Sequence, residues 1–277
     1  MEKFQLVQPS KLLRPYVKQY WFLAIDNAER SSQRYVPSGC AVLAFHRGDK
    51  IYSTLHQEMQ PRSSLCGQSV SYTDVVYSGN LNLVMVVFQP VAARVVLGIP
   101  MNNLRDKNVD VELLGDASLI ELEKWIMETE DNNQCVYLIE QYLLKKLYGF
   151  TSERFARMNA VVQSINNGQQ DITELSQSAC LGYKQFKRVF AEYTGLNPKE
   201  FLQIARFRNA LHCLHAGSQI RLNQLAYDWG YCDKSHLIKD FKTFMGYTPK
   251  EYLSIYDPYS EYLSLFNSVF INGEPGN

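Results

Sequence analysis

The segment LNPKEFL at residues 196–202 returns 51 residues later as YTPKEYL at residues 247–253. The residues in front of each copy repeat at the same interval, so that Phe186, Phe190 and Gly195 return as Leu237, Phe241 and Gly246. Two copies are too few for a solenoid, which needs about three repeats to build a continuous core. The second half of the chain is therefore predicted to contain a pair of similar helical modules.

The first module has the pattern of two short helices separated by a tight turn. Asp171 and Glu174 form a capping-box variant that predicts a helix to about residue 179, and a turn at 181–182 follows it. In the next helix, predicted over 183–193, the apolar residues share one face: they are Phe186, Val189, Phe190 and Tyr193. The opposite face is basic and carries Lys184, Lys187 and Arg188.

A long helix is predicted between the modules, and the second module repeats the logic of the first. Asn197 is the predicted cap of this linker helix, with Pro198 at its first position and Gly217 as its stop. Asp233 is the predicted cap of the last helix of the second module. The outward residues of that helix are Lys234, Ser235, Ile238, Lys239 and Lys242.

A helix, a tight turn and a helix with a basic outer face form a helix-turn-helix, whose second helix fits the major groove of DNA, about 12 Å wide. Two such units can reach successive grooves about 34 Å apart. Residues 158–255 contain eleven Lys and Arg against eight Asp and Glu, whereas the whole chain is balanced at 28 each. The local excess is small, but acidic residues are nearly absent from the two outward faces, which favours a double-stranded DNA ligand.

These residues resemble the AraC/XylS-type bacterial transcription regulators. The motif positions of that family are met by Ala226, Gly230, Tyr231, Asp233, Ser235, Phe241, Lys242, Gly246, Thr248, Pro249 and Tyr252, and in the linker helix by Arg206, Ala210 and Leu214. Three positions depart from the pattern. Gly182 stands where a capping serine is usual, Ser176 where an alanine is usual, and Leu253 where an arginine often follows the tyrosine.

The resemblance implies a sequence-specific regulator of transcription with RNA polymerase as a further partner. The base-reading positions of the family correspond here to Lys184, Lys187 and Arg188 in the first unit and to Lys234, Ser235, Ile238 and Lys239 in the second. Members of the family commonly carry an N-terminal cupin-like β-barrel that binds an effector, followed by helices that dimerise. The segments Tyr20-Trp21, Val36-Pro37-Ser38-Gly39 and Phe88-Gln89-Pro90 look like a variant of that domain.

The first half of the chain has the matching order of elements. Strands are predicted at 17–25, 36–45, 51–55 and 81–88, and helices at 117–129 and 134–147. The expected fold is thus an α+β chain of two domains. A β-barrel domain with two following helices occupies residues 1–150, and an all-α domain of two helix-turn-helix units occupies 155–255. Residues 256–277 are an aromatic-rich tail, for which packing back on the chain is the favoured interpretation.

Catalytic and metal chemistry have little support in the sequence. His46 and His56 are ten residues apart with no matching carboxylate, and His212 and His215 on the linker helix have no third ligand nearby. The chain has no nucleophile elbow, Walker sequence or dinucleotide fingerprint. We therefore expect no enzyme activity, no cofactor and no metal. A metal-dependent cupin-type enzyme with a helical appendage remains the alternative.

The sequence also suggests where and how such a regulator works. It begins without a signal peptide and has no apolar run that could cross a membrane, which predicts a cytoplasmic protein. We expect an apolar or aromatic-lined cavity for a small-molecule effector inside the barrel, and a homodimer formed through the helices within 117–147. The alternatives are a filled barrel on a monomer, and a regulator controlled by a protein partner without a ligand.

Overall fold

The computed structural model describes residues 2–216, 221–255 and 269–271 of the chain. Its first part is mainly β. The strands are β1 (Glu2–Val7), β2 (Val17–Tyr35), β3 (Val42–His46), β4 (Tyr52–Ser53), β5 (Glu58–Met59), β6 (Ser63–Cys66), β7 (Thr73–Phe88), β8 (Asn108–Asp110) and β9 (Val269–Ile271). The predicted strand at 36–45 begins only at Val42, because Pro37 has no N–H to donate and Gly39 has a positive φ of 74°.

The strands form one antiparallel sheet in the order β1-β2-β7-β3-β6-β8, with β4 and β5 beside β7 and with β9 beside β2. The two long strands run along each other twice. Residues 17–25 of β2 pair with 81–88 of β7, and residues 31–35 pair with 73–77. Register shifts between these stretches surround the pair Ala28 and Gly79. Bulges of this kind bend a strand, so the sheet turns here and encloses space on one side.

The predicted β-rich domain with two following helices is confirmed, but the sheet is open where a closed barrel was expected. In the described residues, the edge strands β1 and β8 do not pair with each other. β8 has only three residues and leads directly into a 3-10 helix at Val111–Leu114. The chain therefore leaves the sheet at this edge before a further strand can bridge the gap.

The sheet separates a packed layer from an enclosed space. Along β2, Tyr20 and Phe22 face the helices, whereas Trp21 and Leu23 face the other side, as expected for the alternation of side chains along a strand. The helices of this domain are α1 (Ala92–Leu97), α2 (Ala117–Glu128) and α3 (Asn132–Leu147), with a further 3-10 helix at Met101–Leu104. The helices α2 and α3 follow the prediction closely, and Asp116 and Asp131 cap their first turns.

The apolar stripes of α2 and α3 are covered by the sheet of the same chain. Leu119, Leu122 and Ile126 of α2, and Ile139 and Leu143 of α3, are buried in one cluster with the sheet. These stripes therefore need no second chain to cover them, and the homodimer stays a prediction. Any contact with another copy must use the outer faces of the helices.

The rest of the described chain is helical. It comprises α4 (Glu153–Asn166), α5 (Ile172–Ser178), α6 (Tyr183–Thr194), α7 (Pro198–Ala216), α8 (Leu222–Asp228), α9 (Lys234–Met245) and α10 (Pro249–Ile255). One continuous apolar cluster runs through all of these helices, so the two modules share a core. No helix in the described ranges is both long and apolar enough to cross a bilayer.

The predicted caps of the helical part are confirmed. The Asp171 carboxylate accepts hydrogen bonds from the backbone of Thr173 and Glu174, and the Asp233 carboxylate accepts one from His236. At the start of α7, the side chain of Asn197 accepts from Lys199 N while the Glu200 carboxylate accepts from Asn197 N. The predicted stop at Gly217 and the tail beyond residue 255 lie outside the described residues, apart from β9.

Candidate DNA-binding surface and ligand cavity

The helices α5 and α6 form the first helix-turn-helix. Between them Cys180 takes a positive φ of 55°, and Gly182 precedes α6 without a side-chain cap, as its departure from the family pattern suggests. Ser176, the other departure in this unit, is buried and donates its hydroxyl to the carbonyl of Thr173 at 2.8 Å. The unit is thus built as predicted, and its two unusual residues are accommodated locally.

The predicted faces of α6 are confirmed. Its four predicted core residues, Phe186, Val189, Phe190 and Tyr193, are buried. Lys184, Lys187 and Arg188 are exposed on the other side. Arg188 forms an ion pair with Glu192 one turn later, at 2.8 Å, and the Lys187 ammonium lies 5.5 Å from the ring centre of Tyr183. Both contacts are at the surface, where an ion pair is worth at most about 1 kcal/mol and is easily exchanged for a phosphate or a base.

The helices α8 and α9 form the second unit in the same way. Lys234, Ser235, Lys239 and Lys242 are exposed on α9, and Ile238 is half-buried beside them. Lys242 differs from the others because its ammonium lies 2.7 Å from the carboxylate of Glu251 in α10. Hydrogen bonds from Lys242 and Thr248 lower the pKa of Glu251 to about 2. Lys242 thus already has an anionic partner, whereas Lys239 has no ion pair among the described residues.

The linker helix α7 holds the turn of the second unit. Ala210 and Leu214 are buried in the helical core, as the family pattern implies. Arg206 donates to the carbonyl of Gly230 at 3.3 Å, and its guanidinium lies 5.2 Å from the ring centre of Tyr231. Arg206 therefore stabilises the turn that sets the orientation of α9.

A buried aspartate on the core side of α9 was not predicted from the sequence. Asp240 is buried, and this burial raises the pKa of its carboxyl. A signal for it was present in the spacing, because Leu237, Asp240, Phe241 and Phe244 fall at i, i+3, i+4 and i+7. This pattern places the carboxylate on the core side, away from DNA.

The space enclosed by the bent sheet is a cavity of about 220 Å³. Apolar side chains from the second face of the sheet form much of its wall, including Trp21, Val42, Ala44, Leu83, Met85 and Val87. Polar side chains also face it, among them His46, Gln68 and Thr73. A cavity is therefore present in the domain where we predicted one.

Of the four histidines considered as metal ligands, His46 and His56 line this cavity. His56 is held by hydrogen bonds, with Nδ1 3.0 Å from Ser53 Oγ and Nε2 2.9 Å from the carbonyl of Asp106. Among the described residues, no three His, Cys, Asp or Glu side chains lie together as a metal ion would require. On α7, Nε2 of His215 is hydrogen-bonded to the hydroxyl of Tyr252, which is fully buried.

The acid side of the stability profile should depend on His46. Burial lowers the pKa of His46 from 6.5 to about 4 in the folded chain. Between about pH 6.5 and pH 4, His46 is therefore protonated in the unfolded chain but not in the folded chain. The free energy of unfolding should therefore fall as the pH is lowered from 7 to 5, with about 2 kcal/mol coming from this one residue. Urea unfolding at several pH values will measure it. The His46→Leu variant should lose this part of the slope, and parallel pH profiles for the two proteins would contradict the prediction.

The first domain also contacts the helical part directly. Arg34 of β2 forms a bidentate ion pair with Asp74, with both distances 2.6 Å, and donates to the carbonyl of Met245 at the end of α9 at 3.0 Å. Its guanidinium lies 4.0 Å from the ring centre of Tyr72 and 4.9 Å from that of Tyr247. We name these five residues the Arg34 clamp. Sequence patterns gave no signal for it, since Met245 lies 211 positions from Arg34 and Tyr247 lies still further along the chain.

Two further contacts tie α7 to the first domain. Arg105 forms an ion pair with Glu200 at 2.7 Å, close to the start of α7. Arg208 lines the cavity and donates to the carbonyl of Ser38 at 2.6 Å. The cavity wall is thus in direct contact with the linker helix that joins the two helix-turn-helix units.

The comparisons with known proteins agree with this architecture. Residues 175–255 match a family described as a helix-turn-helix domain, and residues 5–110 match a domain of unknown function (DUF6597). An HTH-type transcriptional regulator from Haemophilus influenzae, uncharacterized by its name, is 25% identical over 135 residues, which are 47% of this chain. That match spans 45% of the relative, less than half of its length.

Two solved structures show a looser likeness. ToxT from Vibrio cholerae is 14% identical with a TM-score of 0.44, covering 91% of this chain and 97% of ToxT. The AraC-like transcriptional activator CuxR is 8% identical with a TM-score of 0.27, covering 76% and 86%. The assignment therefore rests on the sequence match and on the two units described above. Residues 175–255 are an AraC-type helix-turn-helix domain, and the chain is a relative of the HTH-type transcriptional regulators.

Proposed function

We propose that this protein is a sequence-specific, DNA-binding regulator of transcription that reads two successive major grooves with α6 and α9. The observation that carries the proposal is the outward face of α6 and of α9, on which exposed basic residues gather and Arg188 and Lys239 occupy equivalent positions of the repeat. We assign direct base contacts to Lys184, Lys187 and Arg188 of α6, and to Lys234, Ser235, Ile238 and Lys239 of α9. Lys or Arg toward guanine and Ile238 toward a thymine methyl are the contacts that geometry favours.

Lys242 has a different proposed role from these residues. Because it is paired with Glu251, it is better placed to contact the phosphate backbone than a base edge. Footprinting on the DNA upstream of the operon that encodes the protein tests the whole proposal. Two protected segments about one helical turn apart are expected, and a protein that protects no segment would contradict it.

We expect the affinity for DNA to fall steeply with salt, because several lysines neutralise phosphates and release their counterions. For about five phosphate contacts, raising salt from 50 to 200 mM should weaken binding by roughly 10² to 10³-fold. Fluorescence anisotropy with a labelled operator duplex will measure the slope. Lys11→Ala, a change at an exposed lysine between β1 and β2, should leave the slope unchanged. A flat salt dependence would count against a DNA ligand.

We propose that the cavity of the first domain holds a small-molecule effector, and that the protein acts as a homodimer in the cytoplasm, where bacterial DNA lies, with RNA polymerase as a further partner. The cavity and its contact with Arg208 of α7 support a role for the effector in controlling DNA binding. We propose no catalytic role. A regulator controlled by a protein partner would bind DNA in the same way but would leave the cavity without a ligand.

The outer face of α2 is the surface that we propose for the dimer. Trp125 is 52% exposed there and lines a shallow groove together with Ala117 and Ile120. We expect the full chain to sediment as a dimer at micromolar concentration and the Trp125→Glu variant as a monomer, because a buried unpaired charge is costly. Tyr148→Ser, a change at a tyrosine outside this face, should remain dimeric. A wild-type monomer would remove the dimer from the proposal.

A further inference from the structure

We propose that the cavity of the first domain binds an uncharged, mostly apolar molecule that carries one or two oxygen groups, such as a hydroxyl or a carbonyl. The proposal deepens the function proposed above, on which it rests only for the regulatory role of the ligand. The binding itself requires no DNA. It is argued from the polar atoms of the wall, from its charges and from its size.

Buried polar atoms without partners face this cavity. His46 is 4% exposed, and in the described part of the chain neither of its ring nitrogens has a hydrogen-bond partner. Gln68 is 2% exposed, and its Nε2 likewise lacks a partner among the described residues, as does the hydroxyl of Thr73. Each buried polar group without a hydrogen-bond partner destabilises the folded state by about 1–3 kcal/mol. A ligand hydroxyl or carbonyl oxygen can accept hydrogen bonds from the His46 N–H, the Gln68 amide and the Thr73 hydroxyl, and a ligand hydroxyl can also donate to the unprotonated nitrogen of His46.

Water alone is a poor occupant of this space. A cavity of about 220 Å³ corresponds to about seven water molecules at liquid density. A buried water needs two to four polar partners, whereas the unpartnered atoms are the two nitrogens of His46, Nε2 of Gln68 and the Thr73 hydroxyl. Much of the remaining wall is formed by apolar side chains such as Trp21, Leu83 and Met85, against which an apolar ligand body is more stable than water.

The uncharged state of His46 favours a neutral ligand group beside it. His46 is uncharged at neutral pH, because burial lowers its pKa to about 4. The charged residues of the wall make their own hydrogen bonds or are exposed: Arg208 donates to the carbonyl of Ser38, Asp106 accepts from the backbone of Val70 at 3.2 Å, and Lys18 and Lys107 are exposed to solvent. An anion placed beside His46 would lose its hydration, and the neutral imidazole would offer it no compensating charge.

Gln68 connects this ligand to the first helix-turn-helix. It lies against the end of α6, where a Cβ added to Gly195 would be 3.2 Å from Gln68 Cγ and 3.2 Å from the carbonyl of Met101. A ligand that orders the amide of Gln68 therefore acts on a side chain that touches the end of a recognition helix. This contact gives the regulatory role of the ligand a physical route.

Four probes with the same six-membered ring test the ligand class. Cyclohexanol, cyclohexanone, methylcyclohexane and cyclohexanecarboxylate are titrated into the full chain without DNA, and the side-chain amide of Gln68 is followed in ¹⁵N–¹H spectra. We expect the alcohol and the ketone to bind and to shift this amide signal. Methylcyclohexane should bind without that shift, and the carboxylate should bind most weakly. A carboxylate that binds more tightly than the alcohol, or four probes that do not bind, would overturn the proposal.

Three substitutions separate the hydrogen bonds from simple filling of the cavity. Gln68→Leu and His46→Leu should each weaken cyclohexanol binding about tenfold, the value of one net hydrogen bond, and leave methylcyclohexane binding nearly unchanged. Gln163→Leu makes the same exchange at an exposed glutamine of α4, outside the cavity, and should change neither affinity. Equal losses for both probes would overturn the hydrogen-bonding role. If a variant does not fold, the ranking of the probes on the wild-type chain still decides.

A separate titration with operator DNA keeps the two proposals apart. A chain that binds the alcohol but protects no DNA would overturn the proposed function and leave the ligand class standing. A chain that binds its operator but none of the four probes would overturn the ligand class alone.

Discussion

Arg188→Ala and Lys239→Ala are each expected to weaken operator binding by about 1–3 kcal/mol, which is roughly five- to 150-fold. Both side chains are exposed on recognition helices whose opposite faces are buried, so the fold should be unaffected. Removing Arg188 also breaks its ion pair with Glu192, but a surface pair contributes at most about 1 kcal/mol. Anisotropy titrations with the footprinted duplex will give the affinities.

The two variants should also lose base preference at different positions along the operator, which is the more specific part of this prediction. Arg188→Ala should relax the base preference in one half-site only, and Lys239→Ala in the other, because the residues lie on different helices. Glu192→Gln frees Arg188 without removing it and should leave affinity equal or higher. Lys11→Ala, between β1 and β2, is the control for a lost surface charge. Unchanged affinity in Arg188→Ala or Lys239→Ala would remove that residue from the base-reading set.

Gly67→Ala is expected to lower the free energy of unfolding by about 3 kcal/mol, which is at the upper end for a single added methyl group. A Cβ at Gly67 would lie 1.8 Å from the backbone carbonyl oxygen of Leu104. A backbone oxygen cannot rotate away as a side chain can, so the two segments must separate. Since Gly67 precedes Gln68, the change should also disturb the cavity wall.

A second glycine serves as the control for this prediction. Gly98 has a positive φ of 71°, and a Cβ added there meets no atom within 4 Å. Gly98→Ala should therefore cost only the left-handed backbone strain, about 1 kcal/mol. Urea unfolding followed by tryptophan fluorescence will compare the two variants. Equal midpoints would show that the approach of Gly67 to Leu104 relaxes without cost.

The helical half was predictable because its signals are local. Caps such as Asp171, Asn197 and Asp233 act on backbone groups within one turn, and the faces of α6 and α9 follow from a spacing of three to four residues. The repeat then related the two units to each other without any long-range information. Tertiary packing does not alter these local features, so the basic residues lie on the exposed face of each helix, as the spacing predicted.

The first half was less predictable because its features depend on distant pairs. β1, β5, β6, β8 and β9 were missed, since most of them are short strands that carry little apolar alternation. β2 continues to Tyr35 and β7 begins at Thr73, so the strands predicted at 17–25 and 81–88 were too short. The opening of the sheet depends on where its edge strands end, which no short pattern encodes. Gln68 and Thr73 belong to the cavity only because the chain brings them to His46 from another part of the sheet.

The register between β2 and β7 places neighbouring residue pairs on opposite faces of the sheet, where they have different roles. Arg34 pairs across the strands with Asp74, and this pair belongs to the Arg34 clamp at the end of α9, whereas the next pair, Tyr35 and Thr73, lines the cavity. Because side chains alternate, inserting or deleting one residue here would send the clamp into the cavity and the cavity wall toward α9. The chain can therefore tolerate many substitutions in this stretch more easily than a change in its length. The number of residues in this stretch therefore decides which side chains face α9 and which face the cavity.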